Sequence, residues 1–441
     1  MNSPHVLVSR RDFLKRSGVA AAGAALPAWF LAREQDTAAA TPKALSPNDR
    51  PGIALIGCGG QGTGDCAGAR RFGEVIAVCD VDRNQAEKAA KRFTREGMSA
   101  PAIYSDFRKV MERDDVHIII TGTPDHWHTL VNLLAVKTGK DIYTEKPLTL
   151  TIDEGKRLVK AVQQSKQVVQ VGSQQRSDRN FRLACELVRN GRLGKLRRIV
   201  VGLPTGPREG PFPAVSLLEG MDWDFYLGQT PKVDYNGHNA HWNFRWWYQF
   251  SGGQMTDWGA HHNDIAQWGN GTERTGPVEV SGHSLVKMIP GGYDAASEYY
   301  IKFKYANDVT MIILNDEAVP NGVKFIGDKG AWIFVTRGQI DASKPELLSE
   351  PLPDDAIRLY KSDNHMGNFF DCVRSREKPI CDVEIGHRSI STAHLGVISV
   401  RLGLPLKWDP DKEEFVGENA AEGNRMLVRE MRKPYDYSFI A

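Results

Sequence analysis

Short unbroken apolar runs mark the first third of the chain, at 53–56, 75–78, 116–121 and 141–144, each set off by glycine, proline or charged residues. Runs of that length without polar alternation read as strands buried on both faces of a parallel sheet. A helical pattern through 130–136 lies between the last two. Past the middle of the chain the period changes. Residues 278–284 and 299–314 alternate apolar and polar, as strands with one solvated face do, and predict an antiparallel sheet. Asn364-His365-Met366-Gly367-Asn368-Phe369 opens a helix, and 405–410 with the charged tail through Tyr435, free of repeats, is expected to wrap around the first domain. The chain is read as an α/β unit at 50–170 that holds the parallel strands and a second α/β unit at 171–441 that holds the alternating ones.

The loop after the first run is Gly57-Cys58-Gly59-Gly60-Gln61-Gly62, and Asp80 closes the next strand about twenty residues on, the spacing of the Rossmann dinucleotide-binding fold. Gly57 permits a tight turn, Gly59 lets the backbone approach a pyrophosphate, and Gly62 allows close packing of the helix. The amides that open this helix, at Gly60 and Gln61, face the phosphates, because unpaired N–H groups and the helix dipole favour negative charge there. Asp80 is placed to accept hydrogen bonds from the adenosine ribose hydroxyls and would repel a 2′-phosphate. NAD is therefore favoured over NADP, with Arg83 keeping the phosphorylated cofactor open.

Composition adds a compartment. Ser9-Arg10-Arg11-Asp12-Phe13-Leu14-Lys15 precedes a mildly apolar, alanine-rich stretch at 18–32 that is broken by Pro27. The stretch is too short and too weakly apolar for a comfortable bilayer span, and the pattern is that of a twin-arginine export signal. Residues 1–40 are expected to be a removed signal peptide with cleavage after Ala38-Ala39-Ala40. The mature protein is then periplasmic or secreted, exported folded by the twin-arginine machinery, with no stable membrane span. A nucleotide enzyme exported folded leaves the cytoplasm with its cofactor inside, so tightly held NAD is expected. Lys and Arg number 56 against 54 Asp and Glu, a balance that implies no nucleic-acid or acidic-membrane partner. The six cysteines lack metal-ligand spacing and read as small buried thiols, although a turn at Lys378-Pro379 allows Cys372 and Cys381 to pair.

The third run ends at Thr121 in Gly122-Thr123-Pro124-Asp125-His126-Trp127-His128. Ligands collect at the carboxyl ends of strands in open α/β sheets, which makes Thr121, Thr123, Pro124 and His128 candidates for the ribose and nicotinamide. His126 and His128 have no accompanying cysteine or second histidine pair and read as packing or hydrogen-bonding groups. The fourth run leads into Glu145-Lys146-Pro147, where the proline restricts the lysine backbone. Further on, Asp257, His261 and Asp264 stand at i, i+4 and i+7, on one helix face. Three readings of that face stand: a metal site, an acid–base site whose carboxylate fixes the histidine tautomer, and a histidine hydrogen-bonded in the core.

These motifs, with Gly252-Gly253 ahead of Asp257, together resemble the Gfo/Idh/MocA family of sugar and inositol oxidoreductases over nearly everything after residue 50. Asp125 stands where asparagine is common and Gln254 where a small residue is usual. The resemblance implies a Rossmann domain followed by an α/β domain whose open, largely antiparallel sheet covers the substrate, and a homo-oligomer assembled through that sheet. It implies His261 as proton acceptor and Asp257 as the group that orients it or a substrate hydroxyl. Lys146 then hydrogen-bonds the reacting oxygen beside the nicotinamide, Glu145 belongs to the cofactor side, and no metal takes part.

Six of the ten tryptophans lie between 223 and 268. Flat rings match the apolar faces of pyranoses, so this stretch reads as a sugar platform, with an aromatic inter-domain seam as the alternative. Arg245, Trp246, Asp264 and His365 are the candidate substrate contacts, with His241 and Asn243 as further hydrogen-bonding groups. The leading expectation is an NAD-dependent oxidoreductase that takes hydride from a secondary carbinol of a sugar, inositol-like polyol or glycoside. A redox-neutral NAD-dependent glycosidase is the alternative, in which oxidation, elimination, water addition and reduction restore the cofactor. A non-catalytic sugar-binding protein is the third, against which the joint presence of Lys146, Asp257 and His261 argues.

Overall fold

The computed structural model describes residues 26–36, 50–97 and 99–441, so the twin-arginine motif at 9–15 and the expected cleavage point at 38–40 lie outside the described residues. Ahead of the first strand, Ala28–Asp36 forms helix α1, which lies on the second domain and places Phe30 in the core.

The apolar runs become a six-stranded sheet of β1 (Gly52–Ile56), β2 (Glu74–Cys79), β3 (Ala102–Tyr104), β4 (Ile118–Thr121), β5 (Asp141–Thr144) and β6 (Val169–Val171), in the order β3-β2-β1-β4-β5-β6. Every pairing is parallel. The strand order reverses between β1 and β4, and a cleft opens at their carboxyl ends. Helix α2 (Gly60–Ala69) follows β1, and α3 (Asp125–Lys137) follows β4. A Cβ on Gly62 would lie 2.3 Å from the Gly57 carbonyl oxygen, and one on Gly122 only 2.4 Å from Gly62 Cα. The glycines at 62 and 122 therefore let α2 settle directly on the loop after β4, which sets the depth of the cleft.

Helix α4 (Arg179–Arg189) leads to a nine-stranded sheet of β7 (Leu196–Leu203), β8 (Glu279–Ser284), β9 (Tyr299–Lys304), β10 (Thr310–Asn315), β11 (Gly322–Gly327), β12 (Trp332–Thr336), β13 (Gln339–Ala342), β14 (Leu406–Asp409) and β15 (Glu414–Val416). Its order is β13-β12-β11-β7-β10-β9-β8-β14-β15, antiparallel except for β7 with β10. The alternation read from sequence is real: in β9, Tyr299, Ile301 and Phe303 point inward while Lys302 and Lys304 point out. The stretch 299–314 is two strands, not one, because Tyr305 and Val309 close a turn with Asp308 at φ 66°. Helices α5 (Trp258–Asn270), α6 (His365–Ser375) and α7 (Val383–Leu402) complete the domain. Gly269 of α5 packs on Phe325, and Gly396 of α7 on Ile301 and Phe303.

One expectation changes. Residues 405–410 extend the second sheet instead of wrapping the first domain, because Leu406 and Trp408 are buried in its core and Leu406 pairs with Val280 of β8. The tail beyond them does reach the first domain, where Tyr435 and Phe439 pack around Trp127. Cys372 and Cys381 are both free and buried, and Phe369 and Phe370 of α6 cover the nucleotide sheet next to Ile53 and Leu55.

Candidate active site

A cavity of about 990 Å³ lies over the switch point, between the first sheet and the second domain. Gly57, Gly59, Gly60 and Gln61 line it from the turn after β1, and Asp80 from the end of β2. Nothing lies within 4 Å of where a Cβ would stand on Gly59 or Gly60, which leaves the helix-opening amides approachable. Asp80 accepts from the backbone N–H of Cys58 (2.7 Å) and of Asp82 (2.9 Å), so the carboxylate is fixed at the cleft edge with acceptor capacity left over. Thr123, Pro124, Glu145 and Lys146 complete this side. These groups fit a dinucleotide.

Four of the expected cofactor residues do not reach the cleft. Gly62 serves the close helix contact already described. Thr121 is fully buried and donates to Asn132 Oδ1 (2.9 Å), because a strand-end side chain pointing away from the cleft must find a partner in the core. His128 sits between the carbonyl oxygens of Pro147 (2.6 Å) and Thr123 (2.9 Å) and ties the two loops together. Arg83 is exposed and pairs with Glu87 (2.7 Å), one turn along its own helix, so the cation that kept NADP open faces solvent.

Across the cleft, Lys146 Nζ donates to Asp257 Oδ1, and Arg245 Nε stands 3.6 Å from the other carboxylate oxygen. Asp257 precedes α5, makes no side-chain cap there, and turns its carboxylate to these two cations. Burial alone would raise the Asp257 carboxyl. Lys146 and Arg245 outweigh it and hold the group below the ordinary carboxylate range. One turn into α5, His261 lines the same cleft, and its Nδ1 has no hydrogen-bond partner. Burial first, then Lys146 and Arg337, push its pKa well below the usual imidazole value, so it stands neutral. The expected carboxylate–histidine pairing is absent: Asp257 orients Lys146 and Arg245, and His261 stands apart from it.

Asp264 is a core residue and no substrate contact. Arg176 holds it in a bidentate pair at 2.6 and 2.8 Å and Ser389 adds a third bond at 2.5 Å, with Arg176 and Asp264 both buried. His365 also stays out of the cleft, hydrogen-bonded to the Val171 carbonyl (2.9 Å) and to Ser177 Oγ (2.9 Å). The 3₁₀ turn His241–Trp246 divides the aromatic platform. Arg245 lines the main cleft, His241 reaches toward Asp82 (3.4 Å), and Trp246 faces a neighbouring hollow.

Among the lining groups that the sequence reading did not assign to the site are three ionisable ones. Arg337, from the turn between β12 and β13, lies 4.5 Å over the Trp258 ring and enters the cleft. Asp65 shares Gln61 Nε2 with Glu145, and burial and Glu145 push its carboxyl up to about 9. Asp125, bonded to Ser251 Oγ at 2.5 Å, is pushed by burial up to about 7. Asp125 lies within the 122–128 motif, whereas Asp65 and Arg337 belong to no recognisable spacing, and only the folded chain brings the three to one place.

The NAD-binding Rossmann domain of the oxidoreductase family matches residues 52–173, and that family's carboxyl-terminal α/β domain matches 210–437. The chain belongs to the Gfo/Idh/MocA oxidoreductase family. As a Gfo/Idh/MocA protein it is 27% identical over 202 residues to a glycosyl hydrolase family 109 protein of Shewanella pealeana, and 30% identical over 202 residues to family 109 protein 2 of Shewanella sp. strain ANA-3. These matches cover 43% and 42% of the chain, and span 44% of each relative's length. The fold is shared with the WlbA dehydrogenase of Bordetella pertussis in complex with NADH and UDP-GlcNAcA (TM-score 0.61, 16% identity, 82% of this chain and 99% of that one). It is also shared with levoglucosan dehydrogenase in complex with NADH and L-sorbose (TM-score 0.60, 17% identity, 81% and 98%).

In this Gfo/Idh/MocA site, cofactor affinity should depend on pH through Asp80. Burial pushes its carboxyl up to about 6 against the two amides it accepts from, with Asp82 raising it and His241 opposing. Above that value the carboxylate offers acceptors to the ribose hydroxyls, and below it a proton occupies one of them. On protein stripped of nucleotide, the Kd for NAD is expected to rise by up to about tenfold per pH unit below pH 6. Asp80→Asn should flatten that profile, and an unchanged slope in the variant would place the titrating group elsewhere.

Proposed function

We propose that the protein is an NAD-dependent oxidoreductase acting on a secondary carbinol of a sugar, polyol or glycoside. The observation that carries this reading is the convergence of Lys146, Asp257, Arg245 and His261 on the dinucleotide cleft. Lys146, aimed by Asp257, donates to the carbinol oxygen and stabilises negative charge as it builds there. His261, uncharged and on the wall of the cleft, takes the hydroxyl proton. Arg245 and Arg337 hold neighbouring hydroxyls. NAD, when bound, supplies the hydride acceptor beside these groups.

Tight retention of the cofactor and export by the twin-arginine route belong to the same proposal. The chain at 219–222 is laced onto the loop after β2 through Arg83 N–H to Gly220 O, Asp222 N–H to Val81 O, and the bridge between Asp82 and Met221. Met221 lines the cleft, so this strap covers the same end of the site as Asp80. Backbone hydrogen bonds that fix this segment at the Asp80 end of the cleft support slow exchange.

The second reading, a redox-neutral glycosidase, is supported by the relatives described as glycosyl hydrolase family 109 proteins. One experiment separates the two. Protein purified without added cofactor is denatured and its nucleotide identified, while the native protein is offered free sugars and glycosides with no electron acceptor. The expected result is stoichiometric NAD and the build-up of bound NADH. Cleavage of a glycoside without net NADH assigns the second reading, and protein free of nucleotide refutes retention.

A further inference from the structure

Beside the main cleft lies a second hollow of about 520 Å³, lined by Thr205, Glu209, His238, Asn243, Trp246 and Tyr293, with Trp242 common to both. The wall between them is the 3₁₀ turn His241–Trp246, in which residues three apart lie one above the other. Trp242 and Arg245 therefore share the face toward the main cleft, with the guanidinium 4.1 Å over the indole ring. Asn243 and Trp246 share the next face, toward the hollow. The indole of Trp242 is 67% exposed at the rim where the two spaces meet. An exposed, cation-backed indole is costly to leave in water and matches the apolar face of a pyranose, and the hollow adds a carboxylate, an imidazole and an amide able to bond hydroxyls.

Resting on the carbohydrate reading above, we propose that the hollow is a second sugar subsite. The substrate is then a glycoside of at least two rings: the ring to be oxidised lies at Lys146 and His261, Trp242 stacks at the linkage, and the neighbouring ring is held by Glu209 and Asn243. The test is turnover of methyl glucopyranosides and galactopyranosides against maltose, cellobiose and lactose by the NAD-loaded protein, wild type and Glu209→Ala/Asn243→Ala. The expected result is a disaccharide favoured by about tenfold in kcat/KM. The double variant should lose that advantage through KM while keeping the methyl glycoside rate. Equal use of one-ring and two-ring substrates, or a double variant that lowers both alike, overturns the subsite and leaves the oxidoreductase reading standing. Failure of every carbohydrate to react overturns both.

A different observation carries a second inference. Helix α1 lies inside the stretch expected to be removed on export, yet it is built into the second domain. Phe30 is 2% exposed, Trp29 Nε1 donates to the Leu348 carbonyl (3.0 Å), and Glu34 pairs with buried Arg182 (2.6 Å). Lys361 Nζ adds a bond to the Glu34 carbonyl (3.1 Å). Loss of this helix would uncover an apolar seat and remove the closest carboxylate from a buried guanidinium, a costly change in a protein exported folded. The structure assigns α1 to the mature protein, with any processing falling before Ala28 instead of after Ala40. Intact mass and amino-terminal sequencing of the exported protein test this. A chain that begins before Ala28 is expected, and one that begins at Thr41 overturns the assignment. Glu34→Ala should lower Tm by about 2–5 °C, and no shift would likewise count against it.

Discussion

Replacing Lys146 with alanine should leave bound NAD in place and slow turnover by about 10²–10⁴-fold. The ammonium is the donor that Asp257 aims into the cleft. Asp257 keeps Arg245 as a counter-charge in the variant, so the carboxylate is not stranded and the fold should survive. The residues proposed to hold the nucleotide, Gly57 to Gln61 and Asp80, lie on other elements and are untouched. The measurement is paired: nucleotide released on denaturation, and the rate at which bound NADH appears on mixing with substrate. Full occupancy with a collapsed rate is the expected outcome. Unchanged turnover would remove Lys146 from the chemistry, and loss of the nucleotide would make it a binding residue instead.

Replacing Asp264 with alanine should act in the opposite way, on stability and not on chemistry. Arg176 and Asp264 are buried, and the pair is closed by two charge-assisted hydrogen bonds and by Ser389. Removing one partner of such a pair strands the other charge and costs about 3–5 kcal/mol. Burial works to lower the Arg176 guanidinium and Asp264 raises it above its ordinary value, so loss of Asp264 leaves the burial penalty without the counter-charge that outweighs it. Chemical denaturation should show the loss, and the folded fraction should keep its kcat and KM. A collapse of kcat in protein of normal stability would return Asp264 to the active site.

The contrast between these two residues shows how far the sequence reaches. Lys146 was legible because it follows a buried strand and precedes a proline, a local arrangement that fixes where the chain exits the sheet. Asp264 was misread because helical spacing assigns residues to a face without saying which face is wet. Helix α5 is buried almost all round, so the 257–261–264 stripe is continuous in spacing and split in environment. The same limit affects His365 and Trp246. Each belongs to the right region, but the carbonyl of Val171 claims the first and a second hollow the other.

The sequence by itself determined the parallel sheet, its glycine turn, the acid at the end of β2 and the lysine after β5. Each follows from a short stretch whose sterics and hydrogen-bonding needs are satisfied within one strand–turn–helix unit. It also determined the antiparallel character of the second sheet, since alternation of burial is a property of neighbouring residues. Only the tertiary structure decided that Asp257 serves Lys146 and not His261, that Arg337 and Asp65 enter the cleft, and that Asp264 is locked away with Arg176. Those outcomes depend on contacts between segments scores of residues apart, where the competition among burial, charge pairing and hydrogen bonding is settled by packing that no local pattern encodes.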